Sequence, residues 1–260
     1  NELPRRLPWS ARRVTGSGPV PVGIRYPAPL TEGVLLRRYQ RFLADVRLPD
    51  GTTVTAHCPN TGAMLGCQAP DSRVWLSPSV RAGRRCPFTW ELVEVESGTL
   101  VGVHTGRTNG LAAAAVRAGM LEELRDYPQI RAEVRIKSAG VRFDFMLSGP
   151  GLPDYYLEVK NVTAAVTARR ALFPDAVSER ATRHARELAV LRRAGARAGV
   201  LFCAQRADVD VVEPADGIDP AYGRALRAAA ADGVDVMAVG ATVTPEGIWV
   251  DRRIPVALAA

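Results

Sequence analysis

Between residues 34 and 104 the apolar and polar positions alternate on a short period, and turn residues interrupt them repeatedly. Stretches 41–48 and 52–57 flank Pro49-Asp50-Gly51, a strong turn signal. Residues 73–77 alternate around Val74 and Leu76. Residues 89–96 place Leu92, Val93 and Val95 among charged neighbours, and Ser97-Gly98 turns that stretch into 99–104. With residues 34–38 these patterns predict five or six strands and no helix, a small closed barrel of the OB-like kind.

Beyond Arg107 the period lengthens. Leu111, Ala114, Ala115, Ala118, Leu121 and Leu124 form one stripe and predict a helix over 109–124. Strands follow over 132–137, 141–147 and 155–162, then a helix from Pro174-Asp175 to Ala194, closed by Gly195. A strand over 199–204, a helix over 219–231 stopped by Gly233 and a strand over 235–239 complete the pattern. This order predicts an α/β domain, residues 106–260, with helices packed on a mixed sheet. The barrel takes residues 31–105. Residues 1–30, rich in proline and arginine, read as a flexible basic arm.

Charge sharpens this division. The chain carries 34 basic against 27 acidic residues, a net charge of +7. Residues 106–203 hold sixteen basic and ten acidic side chains, whereas residues 204–260 hold five and nine. A polyanionic partner is therefore expected, with the central segment as its contact. No run approaches the ~20 apolar residues that span a bilayer. Pro4, Pro8, Pro19 and Pro21 break up the start of the chain, so neither a membrane nor a secretory signal is expected and the cytoplasm is the expected location. Cys58, Cys67, Cys86 and Cys203 lack Cys-x-x-Cys spacing, and adjacent His57 and Cys58 would point to opposite faces of a strand. They read as buried free thiols rather than zinc ligands.

The richest chemistry lies in 141–160. Alternation places Val141, Phe143, Phe145 and Leu147 on one strand face and Arg142, Asp144 and Met146 on the other. In the next strand Tyr155, Leu157 and Val159 oppose Tyr156, Glu158 and Lys160. Burying the first set of each strand leaves Asp144, Glu158 and Lys160 together on an uncovered side. A hairpin centred on Gly151 sets Asp144 directly across from Glu158. Facing carboxylates repel at a Cβ separation of ~4.5–5.5 Å. Either a divalent cation, Mg²⁺ or Mn²⁺, relieves them, or both are solvated and pair with Arg142 and Lys160.

Asp144, followed on the next strand by Glu158-Val-Lys160, resembles the PD-(D/E)xK nuclease signature, with Phe143 where the signature has proline. Arg38-Tyr-Gln-Arg-Phe-Leu-Ala-Asp-Val46, His57-Cys-Pro-Asn-Thr-Gly-Ala-Met64, Asp144-Phe-Met-Leu147, Glu158-Val-Lys160 and Phe173-Pro-Asp-Ala-Val-Ser-Glu-Arg180 extend the likeness. On these segments the chain from about Pro29 resembles the sugar fermentation stimulation protein A family; residues 1–28 fall outside it. The resemblance implies a cytoplasmic prokaryotic protein with an N-terminal OB domain, a restriction-endonuclease-like C-terminal domain and DNA binding without strong sequence preference. It also implies Asp144 and Glu158 as metal ligands and Lys160 as the catalytic lysine. Glu133, Glu122 and Glu123 are candidates for a third acidic ligand.

Other residues carry two readings each. His184 lies on the apolar side of its helix, either near the carboxylates or as a hydrogen-bonded core histidine. Arg142, Arg180 and Arg183 either contact phosphates or form a solvated face. Asn60 belongs to a turn that also offers itself to nucleic acid, and Tyr39, Phe42, Trp75 and Trp90 either stack bases or fill the barrel core. Three functions compete: a metal-dependent nuclease, a non-catalytic DNA-binding regulator of sugar (maltose) metabolism, and a sugar-binding barrel. Strandedness of the DNA and the oligomeric state are not legible. One detail favours the first. Only Lys137 and Lys160 are lysines among 34 basic residues, and Lys160 stands where a nuclease needs a compact ammonium.

Overall fold

The computed structural model describes residues 20–79, 83, 85–136, 140–165 and 169–259. Six strands build the first unit: β2 (Thr31–Tyr39) and β3 (Leu43–Arg47), then β4 (Thr53–His57), β5 (Arg73–Pro78), β6 (Phe88–Glu94) and β7 (Leu100–Gly102). Their order is β4-β3-β2-β5-β6-β7, and a parallel pairing of β4 with β6 closes five of them into a barrel. The inward residues Leu35, Val46, Ala56, Val74, Leu76, Trp90 and Val93 fill it. Trp90 and Trp75 are buried and so unavailable for base stacking, while Phe42 is exposed. The Asp50 carboxylate takes the backbone N–H of Thr52 at 2.9 Å, and Gly51 supplies the positive φ of 84° that this tight turn needs.

The second unit is a seven-stranded mixed sheet in the order β1-β15-β14-β12-β10-β9-β8. Its strands are β1 (Val22–Arg25), β8 (Gln129–Ile136), β9 (Val141–Ser148), β10 (Tyr155–Val162), β12 (Arg197–Ala204), β14 (Asp235–Thr244) and β15 (Gly247–Ile254). α1 (Thr108–Arg117) covers one face with a core of Leu111, Leu121, Phe145, Leu157 and Leu201. α2 (Glu179–Arg193) and α3 (Pro220–Ala231) cover the other, over Phe143, Val162, Val200 and Phe202. A separate parallel pair, β11 (Arg169–Phe173) and β13 (Val209–Pro214), lies beside them. No described helix is long and apolar enough to cross a membrane.

Several boundaries differ from expectation. Residues 1–19 of the arm expected over 1–30 lie outside the described residues, and within the remainder Val22–Arg25 is β1, paired antiparallel with β15 at the sheet edge. Val22 and Ile24 alternate with Gly23 and Arg25 and pack against the α1 core. Gly23 is required there, because a Cβ would lie 1.9 Å from the Ile248 carbonyl oxygen. The helix expected over 109–124 stops at Arg117, since Gly119 turns left-handed at φ 66° before a 3₁₀ turn at Glu122–Leu124. α2 starts at Glu179 rather than near Pro174, with the Ser178 hydroxyl accepting from Ala181 N–H.

Candidate active site

β10 is central to the sheet, antiparallel to β9 and parallel to β12. The β9–β10 register pairs Tyr155 with Leu147, Tyr156 with Met146 and Leu157 with Phe145. Extending it by one residue sets Glu158 opposite Asp144, as the hairpin centre predicts. There the ladder opens. The Asp144 Oδ2 accepts the Val159 backbone N–H at 2.8 Å, taking the place of a strand carbonyl. Asn109, in the first turn of α1, donates its Nδ2 to Asp144 Oδ1 at 2.9 Å.

The three expected residues come together, but not on an uncovered face. Both faces of the sheet are covered, and Phe143 packs in the α2 core while Phe145 packs in the α1 core. β9 therefore rolls over at Asp144. Glu133, the position across from it on β8, takes a positive φ of 54°. Glu158 points under α2, where its Oε1 lies 2.6 Å from Lys160 Nζ and 2.7 Å from His184 Nδ1. The Glu158 and Lys160 side chains are only 5% and 11% exposed. His184 is thus both a core residue, edge-on to Phe143, and a neighbour of the carboxylate.

Electrostatics split the pair. Burial, and then the charge of Glu158, push the Asp144 carboxyl above its ordinary range, and the Val159 and Asn109 hydrogen bonds offset this only in part. Burial acts the same way on Glu158, yet His184 and Lys160 outweigh it and hold that carboxyl below its ordinary value. Glu158 Oε2 is buried and makes no hydrogen bond. A carboxylate oxygen left without a partner beside a second, charge-stressed carboxylate suits a divalent cation. Asp144 and Glu158 are the residues that would hold it.

The site opens into a cavity of about 560 Å³. Asp144, Glu158, Lys160 and Asn161 form its floor, and the segments leading into α1 and α2 form its walls. Arg41, Asn60, Thr61 and Gly62 border it from the barrel side. Arg38 shapes that loop by donating to the carbonyls of Asn60 and Gly62 at 2.8 and 2.9 Å. Asn60 turns its own Oδ1 to Gly62 N–H at 2.9 Å. Asp175 ties the loop to the second unit, accepting Met64 N–H at 2.7 Å. A Cβ on Gly62 would lie 2.5 Å from Asp175 Oδ1. Gly62→Ala should therefore cost about 1–3 kcal/mol, seen as a lower thermal midpoint. An Asp175→Ala background should absorb part of that cost in a double-mutant cycle.

Of the other expected residues, Arg180 borders the cavity and Arg183 lies exposed on α2 away from it. Glu133 does not complete a ligand shell: it is exposed and paired with Arg142 at 3.3 Å, so Arg142 also lies outside the cavity. Glu123 is paired with Arg253, and neither it nor Glu122 borders the cavity. Among the described residues no group of three or more His, Cys, Asp or Glu side chains gathers as a metal set. The four cysteines are buried free thiols; Lys137 lies outside the described residues. Asn109, Asp175, Arg38 and Arg41 went unnoticed in the sequence. Asp175, Arg38 and Arg41 had a signal, their places in the Phe173–Arg180 and Arg38–Val46 segments.

Comparison with known proteins follows the same division. The description "SfsA N-terminal OB domain" matches residues 36–103, and "Sugar fermentation stimulation protein RE domain" matches residues 106–247. A sugar fermentation stimulation protein homolog from Alkalilimnicola ehrlichii is 54% identical over 233 residues, 89% of this chain and 98% of that one. Its counterpart from Halorhodospira halophila is 53% identical over 229 residues, covering 87% and 95%. The solved structure of Pyrococcus furiosus SfsA in complex with Ca²⁺ superposes with a TM-score of 0.80 at 25% identity. That match covers 91% of this chain and 99% of the other.

Proposed function

This chain belongs to the sugar fermentation stimulation protein family, and we propose that it is a DNA-binding phosphodiesterase that works with Mg²⁺ or Mn²⁺ in the cytoplasm. The observation that carries this reading is the carboxylate pair: Asp144 stressed by Glu158, and Glu158 with one buried oxygen unpartnered. The Ca²⁺ complex of the Pyrococcus furiosus relative supports a fold that accepts divalent cations. When bound, the cation supplies Lewis acidity and charge neutralisation at a phosphate.

The chain's own residues do the rest. Asn109 and the Val159 N–H fix both Asp144 oxygens. His184 fixes Glu158 from beneath and leaves the Lys160 ammonium the one cationic side chain on the cavity floor. From there Lys160 donates to a non-bridging phosphate oxygen and balances the charge that grows as the phosphorus is attacked. Arg41 and Arg180 at the cavity border hold flanking phosphates, by charge-assisted bonds that carry no sequence information.

A second reading, a DNA-binding regulator of sugar (maltose) metabolism without catalysis, draws on the tight Lys160–Glu158 ion pair at 2.6 Å. Its other support is that, among the described residues, no three His, Cys, Asp or Glu side chains gather as a metal set. Incubation with plasmid and single-stranded DNA, with Mg²⁺ or Mn²⁺, separates the two. Cleavage that needs metal and is lost in Lys160→Ala supports the phosphodiesterase. Cleavage that survives Lys160→Ala and Asp144→Asn removes this site from the chemistry. Binding with no cleavage under any metal supports the regulator.

A further inference from the structure

We propose that Arg135 on β8 and Arg142 on β9 form a clamp for a backbone phosphate of the nucleic acid, outside the cavity that holds Asp144. The inference rests on the reading of that cavity as a nucleic-acid site, and it adds a second point of contact. In the β8–β9 register Arg135 lies directly across from Arg142. Directly opposed side chains share a face with Cβ atoms ~4.5–5.5 Å apart, and like charges there repel. Neither guanidinium can shed its charge.

Several surface arginines of this chain are matched by acids: Arg169 by Asp210, Arg170 by Glu213, Arg193 by Asp232 and Arg227 by Asp216. The directly opposed pair Arg135 and Arg142 is matched only in part. Arg135 makes no hydrogen bond or ion pair among the described residues, and both arginines are exposed. Arg142 has one loose acidic neighbour, the diagonal Glu133 at 3.3 Å, with side chains 47% and 69% exposed. The two arginines border a concavity of about 390 Å³ with Ile136, Gly140 and Val141. An anion seated between the guanidiniums removes the repulsion and takes both planar forks at once.

The occupant is a phosphate in a chain rather than a free one, because of where the pair sits. Arg142 precedes Asp144 by two residues on β9, ~7 Å at the ~3.4 Å rise of a strand. Phosphates recur every ~3.4 Å of rise along one nucleic-acid strand. A strand with its scissile phosphate at Asp144 therefore brings another to Arg142 within about one or two nucleotides.

The test reads binding alone, in chelator, with a labelled single-stranded oligonucleotide and its duplex, over a range of salt. Arg135→Ala/Arg142→Ala should weaken binding about tenfold or more at physiological salt. It should also lower the slope of log affinity against log salt by about 0.7–0.9, the share of one phosphate. Arg193→Ala/Arg224→Ala, with equal charge loss on the α2–α3 side, should leave the slope unchanged. Glu133→Gln, which frees Arg142, should tighten binding about two- to fivefold. Equal losses in the two double variants would overturn the clamp, as would a Glu133→Gln protein that binds like wild type. A wild type that binds neither DNA at any salt overturns the nucleic-acid reading itself and the clamp with it. Loss of cleavage alone leaves the clamp standing.

Discussion

Asp144→Asn should lower metal-dependent DNA cleavage by at least about 10²–10³-fold while raising the thermal midpoint in chelator by about 2–4 °C. The two effects share one cause. Burial and the charge of Glu158 hold the Asp144 carboxyl above its ordinary range. A carboxyl whose pKa is raised by folding binds its proton more tightly in the folded chain. Its favourable contribution is present at acid pH and is lost as pH rises through the folded value, so its charge is a net cost at pH 7. The amide removes that cost and still accepts the Val159 N–H. Asn109 can turn its carbonyl toward the new NH₂ group. Melting curves in chelator and a cleavage time course on the same preparation check both halves. A destabilised variant that keeps its activity would contradict the role given to Asp144.

The neighbouring acid should behave in the opposite way. Glu158→Gln should destabilise the protein at pH 7 by about 3 kcal/mol, the scale for breaking a buried ion pair. That corresponds to a midpoint lower by about 6–12 °C. Glu158 is held below its ordinary value, against burial, by His184 and Lys160. Its contribution is therefore full above the ordinary glutamate range and fades as pH falls through the folded value. The gap between wild type and Glu158→Gln should hold from pH 7 down to the ordinary glutamate range and narrow only below it, while the Asp144→Asn gap should close as pH falls through the raised Asp144 value. Because Lys160 is only 11% exposed, the variant also leaves an ammonium with little solvent to replace its partner. Two substitutions of the same chemical kind, in one site, thus move the midpoint in opposite directions.

The register of the hairpin was legible because a turn centred on Gly151 fixes which residues face each other, and the ladder from Tyr155↔Leu147 to Leu157↔Phe145 follows that count. The face was not. Alternation at 141, 143, 145 and 147 distinguishes apolar from polar positions, but in a sheet covered on both sides it cannot say which core each apolar residue enters. Phe143 and Phe145 enter different ones. The roll between them coincides with a left-handed Glu133, a conformation that a glutamate does not advertise. β1, β11, β13 and β15 are harder to read for a different reason: β1 has only four residues, β11 and β13 are short and pair with each other, and Asp251-Arg252-Arg253 interrupts the apolar pattern of β15. The supporting contacts lay furthest from view. Asp175 meets Met64 across 111 residues of chain and Asn109 meets Asp144 across 35, separations that no local pattern encodes.

The most direct measurement is a calorimetric titration of Mn²⁺ into metal-free protein, wild type beside Asp144→Asn. If Asp144 and Glu158 hold a divalent cation between them, wild type binds one ion with measurable heat, and Asp144→Asn weakens that binding by about 10²-fold or more. Equal binding by the two proteins, or none by wild type, would contradict it.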